Sequence, residues 1–333
     1  MSNSLEATSQ KSILQRIAEY NPAQSIALIT PSEENPELAG KLASGIHQAW
    51  LEEKTKQGWK FGEVYNADTK TDPKIVSYDK LSANEKASSI NTAKMLLGYI
   101  EANGCIVSKL QDTNRAKAIA GDIDHDNLAE FLHDTWAVHK QSQGYVFGPT
   151  KSVTQKTSPC LVPFDLLPEH EKEMDRIVGR GFFNALSQEE FKVISKEKLQ
   201  KHNRLVSTLS AHLQIIDPNC PTLTRRIATT EAVSEIMLGN ISPTEITSYK
   251  STKDLIIFLD DKRKARENQD LLQYIDTCLS PLDPKCSKKD REEISNLAIE
   301  QIKQNKLSLK DILKFNSYEE LKSACQSKEG PQR

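Results

Sequence analysis

Residues 47–62 read HQAWLEEKTKQGWKFG, and residues 133–148 read HDTWAVHKQSQGYVFG. A constant offset of 86 aligns the two stretches without a gap and continues on both sides of them. Across residues 42–86 and 128–172 this offset gives 17 identities in 45 positions, whereas unrelated sequences of ordinary composition give about three. Self-similarity at a fixed period is the signature of a repeated structural unit, so the chain contains one unit twice.

The first part of each copy has the pattern of an amphipathic helix. Apolar side chains recur every four residues up to Trp50 in copy one and up to Trp136 in copy two, which is the spacing of one helix face. We predict helices near residues 38–57 and 126–143. A glycine follows each of them, and glycine is the residue that most readily adopts the left-handed conformation at a helix end.

The second part of each copy predicts an irregular middle and another helix. A Gly-aromatic-x-Phe-Gly segment indicates a short extended piece closed by a turn, with Phe61 and Phe147 as apolar anchors. A proline further along keeps the residue before it out of a helix. The second helices are expected to begin near Ser82 and Pro168.

The rest of the chain predicts further helices separated by prolines. Ser187, Ser308 and Ser317 each open a Ser-x-x-acid pattern, which is typical of helix starts. The predicted fold class is mainly α with short β segments, with two tandem repeats in a pseudo-two-fold arrangement and a C-terminal helical region. The predicted divisions are an N-terminal segment 1–35, repeat one 36–110, repeat two 122–192 and a C-terminal helical domain 195–325.

Composition excludes several classes of protein. The net charge is −2 with 27% charged residues, so we expect no nucleic-acid partner. No apolar run approaches the roughly 18–20 residues that span a bilayer, and no membrane span is expected. The polar first ten residues favour a cytoplasmic location, with secretion as a bacterial effector as the alternative. Six cysteines without a CxxC pair favour reduced thiols, and neither a metal site nor a cofactor is expected.

One stripe of side chains on the first helix of each copy is a candidate ligand site. Its members are spaced i, i+3, i+7 and therefore share one helix face. If the copies pack about a pseudo-two-fold axis, the two stripes face each other across a cleft, where indole faces and ammonium groups suit a planar anion. The alternative is that both tryptophans belong to the core. The stripes are His47, Trp50 and Lys54 in copy one and His133, Trp136 and Lys140 in copy two.

Other candidates have a simpler structural interpretation. Trp59 and Tyr145, in the Gly-aromatic-x-Phe-Gly segments, are either ligand-lining or structural. The alternating carboxylates of residues 122–126 resemble part of a calcium loop, but an N-cap for the following helix accounts for them better. None of the common catalytic motifs occurs, so we expect a non-enzymatic protein.

Four segments in each copy resemble the RyR repeat, a cytosolic module that occurs in tandem in ryanodine receptors and also in small bacterial and phage-encoded proteins. The family pattern is a helix with His-x-x-Trp, then Gly-Trp-x-Tyr/Phe-Gly, then Pro-x-Leu-Val-Pro-Tyr/Phe, then a Leu-Pro-x-x-Glu-Lys helix start. Copy one reads HQAW at 47–50, GWKFG at 58–62, PKIVSY at 73–78 and LSANEK at 81–86. Copy two reads HDTW at 133–136, GYVFG at 144–148, PCLVPF at 159–164 and LPEHEK at 167–172.

The resemblance covers about the first 190 residues and implies a ligand. In the receptor family the tandem pair is associated with adenine-nucleotide binding at a cleft between the copies. The histidine that many members carry before the Pro-x-Leu-Val segment is replaced by Asp72 and Ser158, and the arginine that often follows Glu-Lys occurs only as Arg176, a further candidate. No channel function is implied, because no pore segment is present. The resemblance implies that the nucleotide is bound by Trp50, Lys54, Trp136 and Lys140.

Three functions remain open at this point. The first is a cytosolic protein that holds an adenine-nucleotide-like molecule between its repeats. The second is a protein–protein adaptor or secreted effector, in which the repeats are scaffold and the C-terminal helices dock a protein partner. The third is an enzyme with its active site in residues 195–325.

Overall fold

The computed structural model describes residues 12–246 and 248–326, and the chain divides into two compact units between residues 205 and 206. The structure is mainly helical with short strands, which confirms the predicted fold class. Within the described residues, no helix combines the length and the apolar character that crossing a bilayer requires.

The first unit contains both copies. Its elements, in chain order, are α1 (Ile13–Ala18), α2 (Pro22–Ser25), α3 (Pro36–Lys56), β1 (Lys60–Phe61), β2 (Thr71–Asp72), a 3₁₀ helix (Tyr78–Lys80), α4 (Ala83–Ala102), β3 (Cys105–Lys109), α5 (Thr113–Ala118), α6 (His125–Ser142), β4 (Val146–Phe147), β5 (Thr157–Ser158), a second 3₁₀ helix (Phe164–Leu166), α7 (Glu169–Gln188), β6 (Phe191–Ser195) and the first half of α8 (Lys196–Ile216).

Structural equivalence at the offset of 86 covers more of each copy than the sequence identities do. The offset relates the C-terminal ends of α3 and α6, and it relates β1 to β4, β2 to β5, α4 to α7 and β3 to β6 residue for residue. The helices predicted at Ser82 and Pro168 begin there, since these two residues are the N-caps of α4 and α7. The parallel pairs β1–β2 and β4–β5 form the middle of each copy.

The strands β3 and β6 pair antiparallel and reveal a local two-fold axis. Val107 pairs with Val193, and these residues are themselves 86 positions apart. The remaining pairs are arranged symmetrically around them, since Cys105 pairs with Ser195 and Lys109 pairs with Phe191. A helix start at Ser187 was predicted wrongly here, because Ser187 lies in the last turn of α7 and β6 follows.

The helices depart from this two-fold symmetry because side chains of different size occupy equivalent positions in the two copies. α3 packs along α7, whereas the equivalent pair, α6 and α4, touches over a short stretch only. A Cβ at Gly45 would lie 2.5 Å from the Cβ of Ala185, so the close approach of α3 and α7 depends on glycine. At the offset of 86, Phe131 stands where α3 has Gly45, and Tyr99 stands where α7 has Ala185. Their rings meet at 4.6 Å between centroids and keep α6 and α4 apart.

Residues 12–35, the N-terminal strap, cross both copies. Ser32 Oγ donates to Glu101 Oε1 at 2.9 Å, and the carbonyl of Thr30 passes directly over Gly98 of α4. Further towards the N-terminus, α2 packs on α6 of copy two. The strap therefore precedes copy one in the sequence but is anchored on both copies.

The second unit is helical throughout its described residues. After the second half of α8 come α9 (Thr222–Met237), α10 (Pro243–Ile246), α11 (Thr252–Leu279), α12 (Lys288–Lys303), α13 (Leu309–Ile312) and α14 (Tyr318–Gln326). One apolar core lies among α8, α9 and the start of α11, and another lies among the end of α11, α12 and α14. The helix starts predicted at Ser308 and Ser317 are present.

Candidate functional site

The histidines of the two stripes hold the middle of each copy in place. His47 Nε2 donates to the carbonyl oxygen of Val76 at 2.8 Å, and His133 Nε2 donates to that of Val162 at 2.8 Å. A carbonyl oxygen only accepts, so Nε2 carries the proton in both rings. Burial lowers the pKa of His133 and favours its neutral form. Both histidines are buried and bonded within their own copy.

The two indoles lie beside these histidines. The ring centroids of Trp50 and His47 are 5.6 Å apart, and those of Trp136 and His133 are 5.7 Å apart. Both tryptophans are partly buried. In the part of the chain that the structure describes, the two indoles make no ring contact with each other. The structure thus places each indole next to a structural histidine of its own helix.

The lysines of the stripes meet the aromatic residues that follow each helix. Lys54 Nζ lies 5.3 Å from the ring centroid of Trp59, and Lys140 Nζ lies 4.7 Å from that of Tyr145. Four predicted site residues are therefore brought together in pairs, one pair in each copy. A cation over an aromatic face is attracted by the quadrupole of the ring.

Two expected features have a different place in the structure. Phe61 and Phe147 were predicted as apolar anchors, and this is wrong, since they are 58% and 42% exposed. Both residues of β1 and both residues of β4 are exposed, so these short strands lie on the surface of their copies and place no side chain in the core. Arg176 pairs with Asp126 at 2.7 Å and with Glu169 at 2.5 Å on copy two. It is not brought to the lysines of the stripes.

The two copies meet at a group of aromatic and basic side chains that we call the inter-copy cluster. Lys151 Nζ of copy two lies 3.8 Å from the ring centroid of Tyr65 of copy one, and Tyr65 stacks on Trp59 at 5.4 Å between centroids. We count Lys140 with this group because Lys74 and Lys151 lie near enough to help lower its pKa, although its direct contact is with Tyr145. The cluster consists of Trp59, Tyr65, Lys74, Lys140 and Lys151.

Two lysines of the cluster, Lys140 and Lys151, lie in surroundings that disfavour their charged form. Burial foremost, followed by repulsion from Lys74 and Lys151, lowers the pKa of Lys140. The pKa of Lys151 is also lowered by burial, against the opposing attraction of Asp72. Most of the Lys151 residue is exposed. Only its ammonium group, which lies on the ring of Tyr65, is shielded from water. Among the described residues, neither lysine has a carboxylate oxygen within the 4.0 Å of an ion pair, whereas Lys74 pairs with Glu85 at 3.8 Å.

Sequence reasoning missed Tyr65, Lys74 and Lys151 because it searched for identities. Tyr65 and Lys151 occupy equivalent positions at the offset of 86, and they touch each other across the junction of the copies. Residues that meet near a two-fold axis come from the same position in both copies. The available signal was one aligned position at which copy one has an aromatic residue and copy two has a lysine. This position is not identical in the two copies, so a comparison of identities passes over it. Within the described residues, no group of three metal-binding side chains was found.

The fold and the constant offset define a tandem-repeat protein with two copies of one α-helical module. The model of the RyR domain family matches residues 22–109 and 122–195. The first unit therefore belongs to the RyR domain family and contains two RyR domains in tandem. The matched ranges end with the strands β3 and β6. They therefore extend beyond residues 42–86 and 128–172, over which the two copies were compared.

Proposed function

We propose that the tandem RyR domains bind a small planar anion of the adenine-nucleotide class at the inter-copy cluster, and that the protein acts in the cytoplasm by binding without turnover. The observation that carries the proposal is the pair Lys140 and Lys151. Both ammonium groups are desolvated, and neither is neutralised by a carboxylate within 4.0 Å among the described residues. Their contacts are with the rings of Tyr145 and Tyr65 and, for Lys140, with Gln143 Oε1 at 3.4 Å. An anion would supply the opposite charge.

The aromatic side chains of the cluster supply the second half of the recognition. Trp59 and Tyr65 form a stacked pair beside the lysines, and an aromatic face accepts a purine ring. Stacking of a base on an aromatic side chain contributes about 1–3 kcal/mol, and each charge-assisted hydrogen bond to a phosphate adds about 1.5–3 kcal/mol. Together they are sufficient for a dissociation constant on the order of micromolar.

Four residues predicted from the sequence lie at or beside this site. Lys140 and Trp59 belong to the cluster, and Lys54 and Tyr145 lie against them. The indoles of Trp50 and Trp136 do not contact the ligand in this proposal, and they pack beside the histidines that hold the middle of each copy.

Calorimetry with AMP, ADP, ATP and ADP-ribose tests the proposal, with adenosine as the uncharged control. We expect at least one nucleotide to bind with a micromolar dissociation constant. Adenosine should bind at least about tenfold more weakly than that nucleotide, because it lacks the phosphate. The double variant Lys140→Ala/Lys151→Ala is expected to weaken binding by about 100-fold. Lys192→Ala, an exposed lysine on β6, is the matched control and should bind like the unmodified protein.

The pH dependence of binding provides an independent check. The ligand requires charged ammonium groups, and the pKa values of Lys140 and Lys151 are lowered. Affinity is therefore expected to fall as the pH rises through these lowered values, before an ordinary lysine would lose its proton. Absence of nucleotide binding, or equal affinity of the double variant and Lys192→Ala, would refute the site. Release of inorganic phosphate or adenine from a bound nucleotide would refute binding without turnover.

A further inference from the structure

A cavity of about 400 Å³ lies between the N-terminal strap and copy two. It is separate from the contact of Lys151 with Tyr65, since neither residue lines it. Its volume is within the range of small-molecule sites, which is about 300–1,000 Å³. The lining residues used below are Ile17, Tyr20, Gln141, Tyr145, Phe147 and Leu161.

The wall formed by the strap is held in place by polar contacts. Tyr20 Oη donates to Asp134 Oδ1 at 2.5 Å, and the Tyr20 ring stacks on His133 at 6.2 Å between centroids. Arg16 Nη2 donates to both carboxylate oxygens of Asp165 at 2.7 Å. The cavity is therefore formed in advance, and a ligand does not have to order the strap in order to bind.

The lining of the cavity determines the kind of ligand. No lysine, arginine, histidine or carboxylate is among the residues that line it, and Lys140, which contacts the ring of Tyr145, is not part of the lining. A charged ligand would therefore lose hydration without a charged partner in the lining. The rings of Tyr20, Tyr145 and Phe147 offer aromatic surface, and the carboxamide of Gln141 offers one acceptor and two donors. Phe147 is 42% exposed, which leaves an aromatic face open for a ligand to cover.

The corresponding position in copy one supports a role that is specific to copy two. Val146 lines the cavity, whereas copy one has Lys60 at the equivalent position. Val146 is 59% exposed although it is apolar. Copy two, which lines the cavity, thus carries an apolar residue where copy one carries a charge.

We infer that this cavity is a binding site for an uncharged, planar heteroaromatic molecule that bears an N–H group. The ring system stacks against Tyr145 and Phe147, and its N–H donates to the carboxamide oxygen of Gln141. Ile17 and Leu161 enclose the apolar edge. The site differs from the inter-copy cluster in the charge of its ligand, and the two share a contact at Tyr145, whose ring lies beside Lys140 of the cluster.

Indole is the probe that tests this inference, because it is uncharged, planar and carries one N–H group. Binding is measured by ligand-observed NMR titration, with indole-3-carboxylate as the charged counterpart. We expect saturable binding of indole and about tenfold weaker binding of the carboxylate, since burying an unpaired charge is unfavourable.

Two variants locate the site. Ala18 is exposed and lines the cavity, so Ala18→Trp should fill it and weaken indole binding by about tenfold or more. Ala87→Trp places the same ring at an exposed position on α4 and should leave binding unchanged. Phe147→Ala removes an exposed side chain and should weaken binding about threefold or more without disturbing the core. No saturable indole binding, or equal affinity of Ala18→Trp and Ala87→Trp, would overturn the inference.

Discussion

Replacing Gly98 by alanine is expected to destabilise the first unit by about 3 kcal/mol. A Cβ at this position would lie 2.0 Å from the carbonyl oxygen of Thr30 and 3.0 Å from its carbon. The obstacle is backbone rather than the end of a flexible side chain, so the whole strap has to move away from α4. The better helix propensity of alanine, about 1 kcal/mol, offsets only part of this cost.

Urea denaturation followed by tryptophan fluorescence measures this effect, because all three tryptophans, at positions 50, 59 and 136, lie in the first unit. Gly40→Ala is the matched control, since Gly40 lies in α3 and a Cβ there meets nothing within 4 Å. That variant should be stabilised by about 0.5–1 kcal/mol. If the two variants changed stability in the same direction, the close contact of strap and α4 would be disproved.

Replacing Asp175 by asparagine is expected to stabilise the first unit at alkaline pH and to leave it unchanged near pH 4. Burial foremost, and the nearby Glu171, raise the pKa of Asp175 to about 8. In the unfolded chain an aspartate titrates near pH 3.9. Between these two values the folded protein binds more protons than the unfolded chain, so the stability of the unmodified protein falls as the pH rises. An uncharged asparagine does not have this dependence.

The expected gain above pH 8 is about 2 kcal/mol, because the carboxyl group is 23% exposed and solvent screens part of the full shift. The free energy of unfolding is measured by urea denaturation between about pH 4.5 and pH 9, again by tryptophan fluorescence. Asp68→Asn, which changes an exposed aspartate in the loop of copy one, is the control and should follow the unmodified protein. Parallel pH profiles of Asp175→Asn and the unmodified protein would contradict the prediction.

The sequence predicted the fold of each copy well because the identities are the residues that hold it together. His47 and His133 bind a backbone carbonyl 29 residues further on in both copies. Lys70 and Lys156, both with φ of 51°, donate to the carbonyl oxygens of Gln57 and Gln143 at 2.8 Å. Selection for these internal contacts keeps residues identical, so a search for identities finds the scaffold.

The candidate site was only partly predictable for the same reason. The contact of Tyr65 with Lys151 requires two different side chains at one repeated position, which appears in the sequence as a mismatch. Helical periodicity places Trp50 and Lys54 on one face, but it does not show which surface of one copy meets the other. That choice depends on the sizes of the side chains where the helices cross. Strands β3 and β6 were missed because each has five residues and pairs with a strand of the other copy, a pairing that the local sequence pattern does not show.

The glycine crossing of α3 and α7 makes the two halves of this protein obligate partners. Close packing there needs Gly45 from copy one and Gly181 from copy two, while the equivalent positions carry Phe131 and Met95. A chain assembled from two copies of the first half would bring Gly45 against Met95 at both crossings, and one assembled from two second halves would bring Phe131 against Gly181. Neither of these two chains would form the close helix crossing of Gly45 with Gly181. The two halves are therefore complementary and are not interchangeable.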